Sequence, residues 1–360
     1  KEMPALMVDV LKDERLSNDK REKGKVRIFN VCPLDFNLLV RKYFTRFMAQ
    51  MMQHHIDGEV SVGLNVHSDD WQAFYLRLQK SGSHWIAGDY SAWDKRMPLP
   101  IALALLPLVE EFYKQFDDYD PLDAEVRRVL LLQAFQSVRL AQTQTKGLIY
   151  RVHQSMPSGI AVTAVYNSLI NALLFRVIYA ELAMANGVSE GRAINDYSKH
   201  VRFAAYGDDH VARVSDLAFS YFNMLSIAER MAEHHITYTA ASKGDVEGPE
   251  VADEDLTYLK RHFVSRAGRL DAPMDLMATL DILNWVNVQS PLDANEACEA
   301  AIKSVIIELS HQSKLDFDKW YEKIVKVALR NGLDVPIVSY DQVVETRRNE
   351  EFDYYENFLA

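Results

Sequence analysis

Tyr206-Gly207-Asp208-Asp209 lies between two apolar runs, residues 201–205 and 210–214. No other feature of the 360 residues restricts the local fold as much. Two short apolar runs split by a Gly-Asp pair specify a β-hairpin with a two-residue turn, because glycine supplies the positive φ that such turns need. The turn would carry two adjacent carboxylates to the tip of a sheet. Side by side they repel each other unless water or a cation screens them. A solvated surface turn is the ordinary explanation of an isolated Gly-Asp-Asp.

A second acidic segment changes the balance. Trp85-Ile86-Ala87-Gly88-Asp89 reads as a short buried strand ending in a polar bend, and Asp94 follows at the start of a helical pattern. Alone, Asp94 would serve as a helix N-cap. Magnesium takes oxygen ligands from one or two carboxylates together with substrate phosphates. Phosphoryl transfer by two metals needs acids from neighbouring strands, with the ions about 3.5–4 Å apart. Asp89 at one strand end and Asp208 at a neighbouring hairpin tip suit that requirement.

A third feature is a polar stripe. Thr163, Asn167 and Asn171 recur every four residues on an otherwise apolar helix expected over about 160–186, so they share one face. Its length would be about 40 Å at 1.5 Å per residue. Ser158 and Gly159 precede it in a loop. Buried polar groups need partners, and a hydrogen-bonded helix–helix seam would supply them. A ribose reader, with donors and acceptors placed near a 2′-hydroxyl, would use the same groups. Asp94 is the expected partner of Asn167.

The remainder places these features in a larger frame. Residues 4–30 read as a strand–loop–strand ribbon and 136–152 as a hairpin. Residues 34–57, 68–80, 98–116, 122–136 and 216–235 read as helices. A hairpin is expected over 256–270, then a mostly helical tail broken at Pro273, Pro291 and Pro336. Strands interleaved with helices, followed by a helical tail, indicate an α+β fold. The length suggests two or three core-bearing units. A net charge of −11 argues against a nucleic-acid partner if charge is spread evenly, but it is not: residues 12–27 hold seven basic against four acidic side chains, and 341–360 two against six. Cys32 and Cys298 show no metal spacing and read as free thiols of a reducing compartment. The longest apolar segment, 159–185, carries Asn167, Asn171, Arg176 and Glu181, which argues against a transmembrane segment. A start at Lys1 fits a processed polyprotein product or a fragment. Asp69-Asp70 reads as a helix N-terminus, and His54-His55 and His234-His235 lack metal spacing.

Taken in order, six pieces resemble a known series. They are Lys12-Asp13-Glu14-Arg15 with Lys23-Gly24-Lys25-Val26-Arg27, then Asp89-Tyr90-Ser91-Ala92-Trp93-Asp94, then Met156-Pro157-Ser158-Gly159 with Thr163 and Asn167. Tyr206-Gly207-Asp208-Asp209, Lys243 and Leu259-Lys260-Arg261 complete it. The series resembles the RNA-dependent RNA polymerases of picornavirus-like positive-strand RNA viruses, in the picorna-like and dicistrovirus-like branch, and it spans residues 12–263.

The resemblance implies a right-hand polymerase. Fingers would take 1–46 and 134–155; palm, an antiparallel sheet plus helices, 47–133 and 156–266; and a helical thumb 267–360, with N-terminal fingers truncated. It implies template-directed RNA synthesis during viral genome replication, by two-metal nucleotidyl transfer from nucleoside triphosphates to an RNA 3′-hydroxyl. Asp89, Asp208 and Asp209 would hold two Mg2+ ions, with Mn2+ as a substitute. Lys243 would act as general acid toward pyrophosphate. Lys12, Arg15, Lys25, Arg27, Asp94, Ser158, Thr163 and Asn167 would bind the nucleotide, and Leu259, Lys260 and Arg261 the primer strand. Implied partners are RNA template and primer, nucleoside triphosphates, a protein primer and other viral replication proteins. The implied location is the host cell cytoplasm at membrane-associated replication complexes. Two alternatives remain: a reverse transcriptase, which the Asp94–Asn167 pair opposes, and a non-catalytic RNA- or protein-binding scaffold keeping the fold.

Overall fold

A computed structural model describes residues 5–16, 18–142, 147–241, 244–286 and 291–349. The chain divides into two compact units: residues 1–63 with 81–250, and residues 64–80 with 251–360. The strands are β1 (Leu6–Leu11), β2 (Ile28–Val31), β3 (His84–Tyr90), β4 (Val138–Gln142), β5 (Gly147–Arg151), β6 (Val201–Tyr206), β7 (Asp209–Val214), β8 (Tyr238–Ala240), β9 (Thr257–Tyr258), β10 (Arg261–His262), β11 (Val264–Arg266) and β12 (Arg269–Asp271). The helices used below are α1 (Leu34–Gln53), α2 (Asp70–Leu78), α3 (Pro121–Phe135), α4 (Thr163–Ala185), α5 (Met224–Glu233), α6 (Leu276–Asp281), α7 (Ala294–Leu309), α8 (Lys314–Arg330) and α9 (Tyr340–Arg348).

The first unit holds two four-stranded sheets. In one, the order is β2-β1-β4-β5, with β1 antiparallel to β2 and parallel to β4. In the other, the order is β6-β7-β3-β8, antiparallel throughout. β3 is an inner strand, and its run Trp85-Ile86-Ala87 is fully buried, as a strand covered on both faces requires. α4 lies against β6. It is long and apolar enough to cross a membrane by length and composition. It is nevertheless buried on several faces, from Val165 and Tyr166 to Leu182 and Ala183, and serves as the core helix of this unit. Phe175 packs on Phe203 of β6 at 4.6 Å between ring centres.

The second unit is mainly helical. α7, α8 and α9 close around Ile302, Val305, Ile306, Leu309, Phe317, Ile324 and Val343. α7 and α9 begin with reciprocal caps, Asp293 with Glu296 and Ser339 with Gln342. Trp71 and Phe74 of α2 stack on Phe263 and Tyr258 at 4.4 and 5.4 Å. His67, Glu308 and His311 lie near enough to hold a metal ion, but the charges of Arg347, Arg261 and Arg266 bear on these imidazoles and oppose a dication.

Three sequence expectations need correction. The helix expected over 98–116 is two helices, Leu99–Ala104 and Leu106–Tyr113, since proline follows the first residue of each. The helix expected over 216–235 is broken where Asn223 caps α5 with its side chain. The hairpin expected over 256–270 is two, β9–β10 and β11–β12.

Candidate active site

The acids come from two strand ends. Gly88 of β3 lies opposite His210 of β7, and Tyr206 pairs with Asp209 across the β6–β7 turn. Gly207 and Asp208 therefore form a two-residue tip. Gly207 has φ 68° and Asp208 is not in the left-handed region, the pattern of a type II′ turn. Continuing the β3–β7 register by one residue sets Asp89 beside Asp209, at the end of the sheet that carries Asp208. Facing residues on antiparallel neighbours are about 4.5–5.5 Å apart at Cα. The backbone register thus carries Asp89 and Asp209 to one end of the sheet, next to the turn that bears Asp208.

The turn is anchored from below by α4. The Gly207 N–H donates to Ser168 Oγ at 2.8 Å. Asn171 Nδ2 donates to the carbonyls of Gly207 and Asp208 at 3.1 and 3.3 Å, and its Oδ1 accepts from the Tyr90 hydroxyl at 2.8 Å. Asn171 thus works as a seam, joining helix to hairpin rather than helix to helix. Ser168 was not singled out in the sequence, because it falls beside the four-residue repeat rather than on it.

Asn167, one helical turn before Asn171, is 5% exposed, and its Oδ1 has no hydrogen-bond partner. The expected bond to Asp94 is not made. An unpaired buried acceptor costs about 1–3 kcal/mol, which a ligand hydroxyl or amide would offset. Thr163 donates toward the carbonyls of Pro157 and Ile160, at 2.7 and 2.8 Å, and so ties the preceding loop to the helix.

Asp94 keeps contact with solvent but is surrounded by protein. Desolvation, then the charge of Asp208, pushes its carboxyl above the usual range, while Arg139, Arg27 and Lys95 act in the opposite direction. Ala92, between Asp89 and Asp94, has φ 57°. This left-handed residue reverses the chain just before the short helix that bears Asp94.

The ribbon contributes a cation. Arg27 Nε donates to Glu14 at 2.7 Å, a bond that holds the Glu14 carboxyl below its usual range. Arg27 is raised by that bond, and the charges of Asp208 and Asp94 add to the effect, so the ribbon arginine lies in the field of the acids. Lys12, Arg15 and Lys25 are exposed on the same ribbon, and the Lys12 N–H donates to the Arg27 carbonyl at 2.8 Å.

The loop before α4 docks on the ribbon sheet. Ser158 and Asn30 exchange backbone-to-side-chain bonds at 3.4 Å, and Asn30 donates to Asp9 at 2.7 Å. An added Cβ on Gly159 would meet the Asn30 carbonyl oxygen at 1.9 Å, so only glycine fits there. Arg139, 7% exposed, donates to Ser155 at 2.9 Å. Neither Asn30 nor Arg139 carries a motif signal that would have marked it.

Leu259, Lys260 and Arg261 belong to the second unit. Leu259 (φ 54°) and Lys260 (φ 60°) form the tip of β9–β10. Arg261 departs from the expected primer contact: it is buried, and its guanidinium is taken by Glu308 at 2.7 and 2.9 Å and by the Ala272 carbonyl. Lys243 lies outside the described residues.

The donors at the sheet end suit a divalent cation. They are hard carboxylate oxygens, and Asp208, second to desolvation in raising Asp94, adds local negative charge that a cation would neutralise.

Known proteins resemble this chain in sequence and in fold. The family model described as viral RNA-dependent RNA polymerase matches residues 1–328. The chain is similar to the replicase polyprotein of Acute bee paralysis virus, with 33% identity over 90% of the chain and 17% of that polyprotein. It is similar to the replicase polyprotein of Cricket paralysis virus, with 29% identity over 91% and 18%. The chain thus spans under a fifth of the length of these relatives. Its fold is similar to the Sicinivirus 3Dpol RNA dependent RNA polymerase, with TM-score 0.75 and 19% identity over 96% of the chain and 67% of that structure.

Proposed function

The chain belongs to the viral RNA-dependent RNA polymerase family, and from that premise we propose that it extends an RNA 3′-hydroxyl with nucleoside triphosphates on an RNA template during viral genome replication. The observation that carries this reading is the β3–β7 register, which brings Asp89 to the sheet end that holds Asp208 and Asp209. These three residues would hold two Mg2+ ions, or Mn2+ in their place. When bound, the ions would supply Lewis acidity toward the attacking hydroxyl and the triphosphate.

The chain's own groups do the rest. Arg27 offers a guanidinium fork to phosphate oxygens, with Glu14 holding it until substrate arrives. Asn167 offers its unpaired carbonyl oxygen to the ribose, and Asp94 and Ser158 are assigned with it to the nucleotide. Thr163 holds the loop that presents Ser158. Lys12, Arg15 and Lys25 add positive charge where the triphosphate approaches, and Lys243 is the proposed acid for pyrophosphate. Within the second unit, Lys260 is the cation proposed to contact primer, and Arg261 supports its hairpin from inside. The ribbon sheet is assigned to the fingers, the acid-bearing sheet to the palm and the helices after residue 267 to the thumb. RNA, nucleoside triphosphates, a protein primer and other replication proteins are the proposed partners, at membrane-associated complexes in the host cytoplasm.

Primer extension tests this reading. Wild-type chain is expected to extend an RNA primer with ribonucleotides in Mg2+ and to stop when the metal is omitted. Asp208→Asn is expected to bind RNA and lose extension by orders of magnitude. Near-normal extension by that variant would remove Asp208 from the mechanism.

A further inference from the structure

The turn bearing Asp208 is held from a second side, by residues that no motif includes. His210 is fully buried beneath it. Its Nδ1 lies 3.1 Å from the Asp208 carbonyl oxygen, and its Nε2 lies 3.0 Å from the Tyr238 hydroxyl. A carbonyl oxygen can only accept, so Nδ1 carries the proton. Nε2 of the neutral ring must then accept, and Tyr238 donates to it. Both polar atoms of the imidazole are thereby satisfied inside the core.

Gly88 makes room for this chain of bonds. It faces His210 across the β3–β7 pairing. A Cβ there would lie 2.3 Å from both Cζ and Oη of Tyr238. Any larger residue at 88 would displace the hydroxyl that fixes the imidazole. The same strand continues directly into Asp89, so glycine, tyrosine and histidine from three neighbouring strands form one device below both acids.

We propose that His210 and Tyr238 are positioning residues for the polymerase reaction, fixing the Asp208 carbonyl, and so its carboxylate, through a directed Tyr238–His210–Asp208 hydrogen-bond chain admitted by Gly88. This rests on the catalytic reading of Asp208. Neither residue touches substrate. Their effect is on the placement of a catalytic carboxylate, so they influence turnover more than nucleotide binding.

Two measurements test it. In 15N spectra of the imidazoles, His210 is expected to carry its proton on Nδ1, and Tyr238→Phe is expected to move the Nε2 resonance toward that of an unbonded acceptor. A proton on Nε2 in wild type would overturn the proposal whether or not the chain is active. In primer extension, Tyr238→Phe is expected to lower kcat about 5-fold and His210→Leu about 50-fold, with KM for nucleotide within 2-fold. His210→Asn, whose amide can still donate to the Asp208 carbonyl, is expected to recover most of the loss. If His210→Asn fell as far as His210→Leu, or if losses only followed the fraction of folded protein, the role would be structural and the proposal would fall. If both variants kept wild-type kcat while Asp208→Asn was inactive, the positioning role would fall and the polymerase reading would stand. Activity in Asp208→Asn would sink that reading itself.

Discussion

Asn167 concentrates the selectivity question in one side chain. Its buried Oδ1 is unpaired in the protein alone, and a ribose hydroxyl is the donor it suits. Asn167→Ala removes both the cost of that orphan and the proposed contact with the sugar. The variant is expected to be as stable as wild type, or more stable by up to about 1–3 kcal/mol, and to discriminate less between ribo- and deoxyribonucleotides. Competition assays with the two sugar types measure this, and unchanged discrimination would reject the ribose role. Ala92 is the complementary case. Its φ of 57° is strained for a residue with a Cβ. Ala92→Gly is expected to relieve that strain with little net change, because glycine also loses more backbone freedom on folding. Ala92→Val is expected to destabilise by about 1–3 kcal/mol, and thermal unfolding separates the two.

At the scale of elements, the hairpin, the loop and α4 act as one assembly. Ser168→Ala would leave the Gly207 N–H without its partner, and a loss of about 1–3 kcal/mol is expected. Gly159→Ala would drive a methyl group into the Asn30 carbonyl, and a similar or larger loss is expected from overpacking. Chemical denaturation measures both, and a change under about 0.3 kcal/mol in either would show that the contact is not maintained in solution. These elements differ in how legible they were in the sequence. The β6–β7 hairpin, β3 and α4 could be read because local chemistry dictates them: a Gly-Asp turn, a continuous apolar run, a long apolar helix. Ser168 and Asn30 could not, because their partners lie far away in the chain, Asn30 meeting Ser158 and Ser168 meeting Gly207. The surroundings of Arg261, assigned to the primer strand from the resemblance, were hidden for the same reason: only the fold reveals that Glu308, 47 residues later, takes its charge.

At the scale of the whole molecule, buried histidines in both units link stability to pH. The second unit holds His67, partly buried, and His311, fully buried, among arginines. Desolvation, outweighing the favourable charge of Glu308, holds His67 down at about 4, and His311 is pushed lower as well, by burial and then by Arg347. In the unfolded chain both would titrate near 6.5. Above pH 6.5 both are neutral in both states, and this part of the stability is fully present. As pH falls from 6.5 toward 4, the unfolded chain takes up protons that the folded unit excludes, so stability declines. For His67 the loss amounts to roughly 3 kcal/mol at 1.36 kcal/mol per pKa unit. Urea unfolding of wild type between pH 7.5 and 4.5 is expected to show this decline and His67→Gln a shallower one. Identical slopes would deny His67 the role.

The requirement that Asp89 and Asp208 serve one ion pair can be tested without relying on turnover. Fe2+ substituted for Mg2+ in the presence of template, primer and nucleotide generates hydroxyl radicals that cut the backbone beside the bound metal. Cuts are expected in two segments at once, around residues 87–91 and 206–210, and both should fade together in Asp208→Asn. Cutting confined to one segment, or cutting at 87–91 that persists undiminished in Asp208→Asn, would show that the two acids do not hold a shared site.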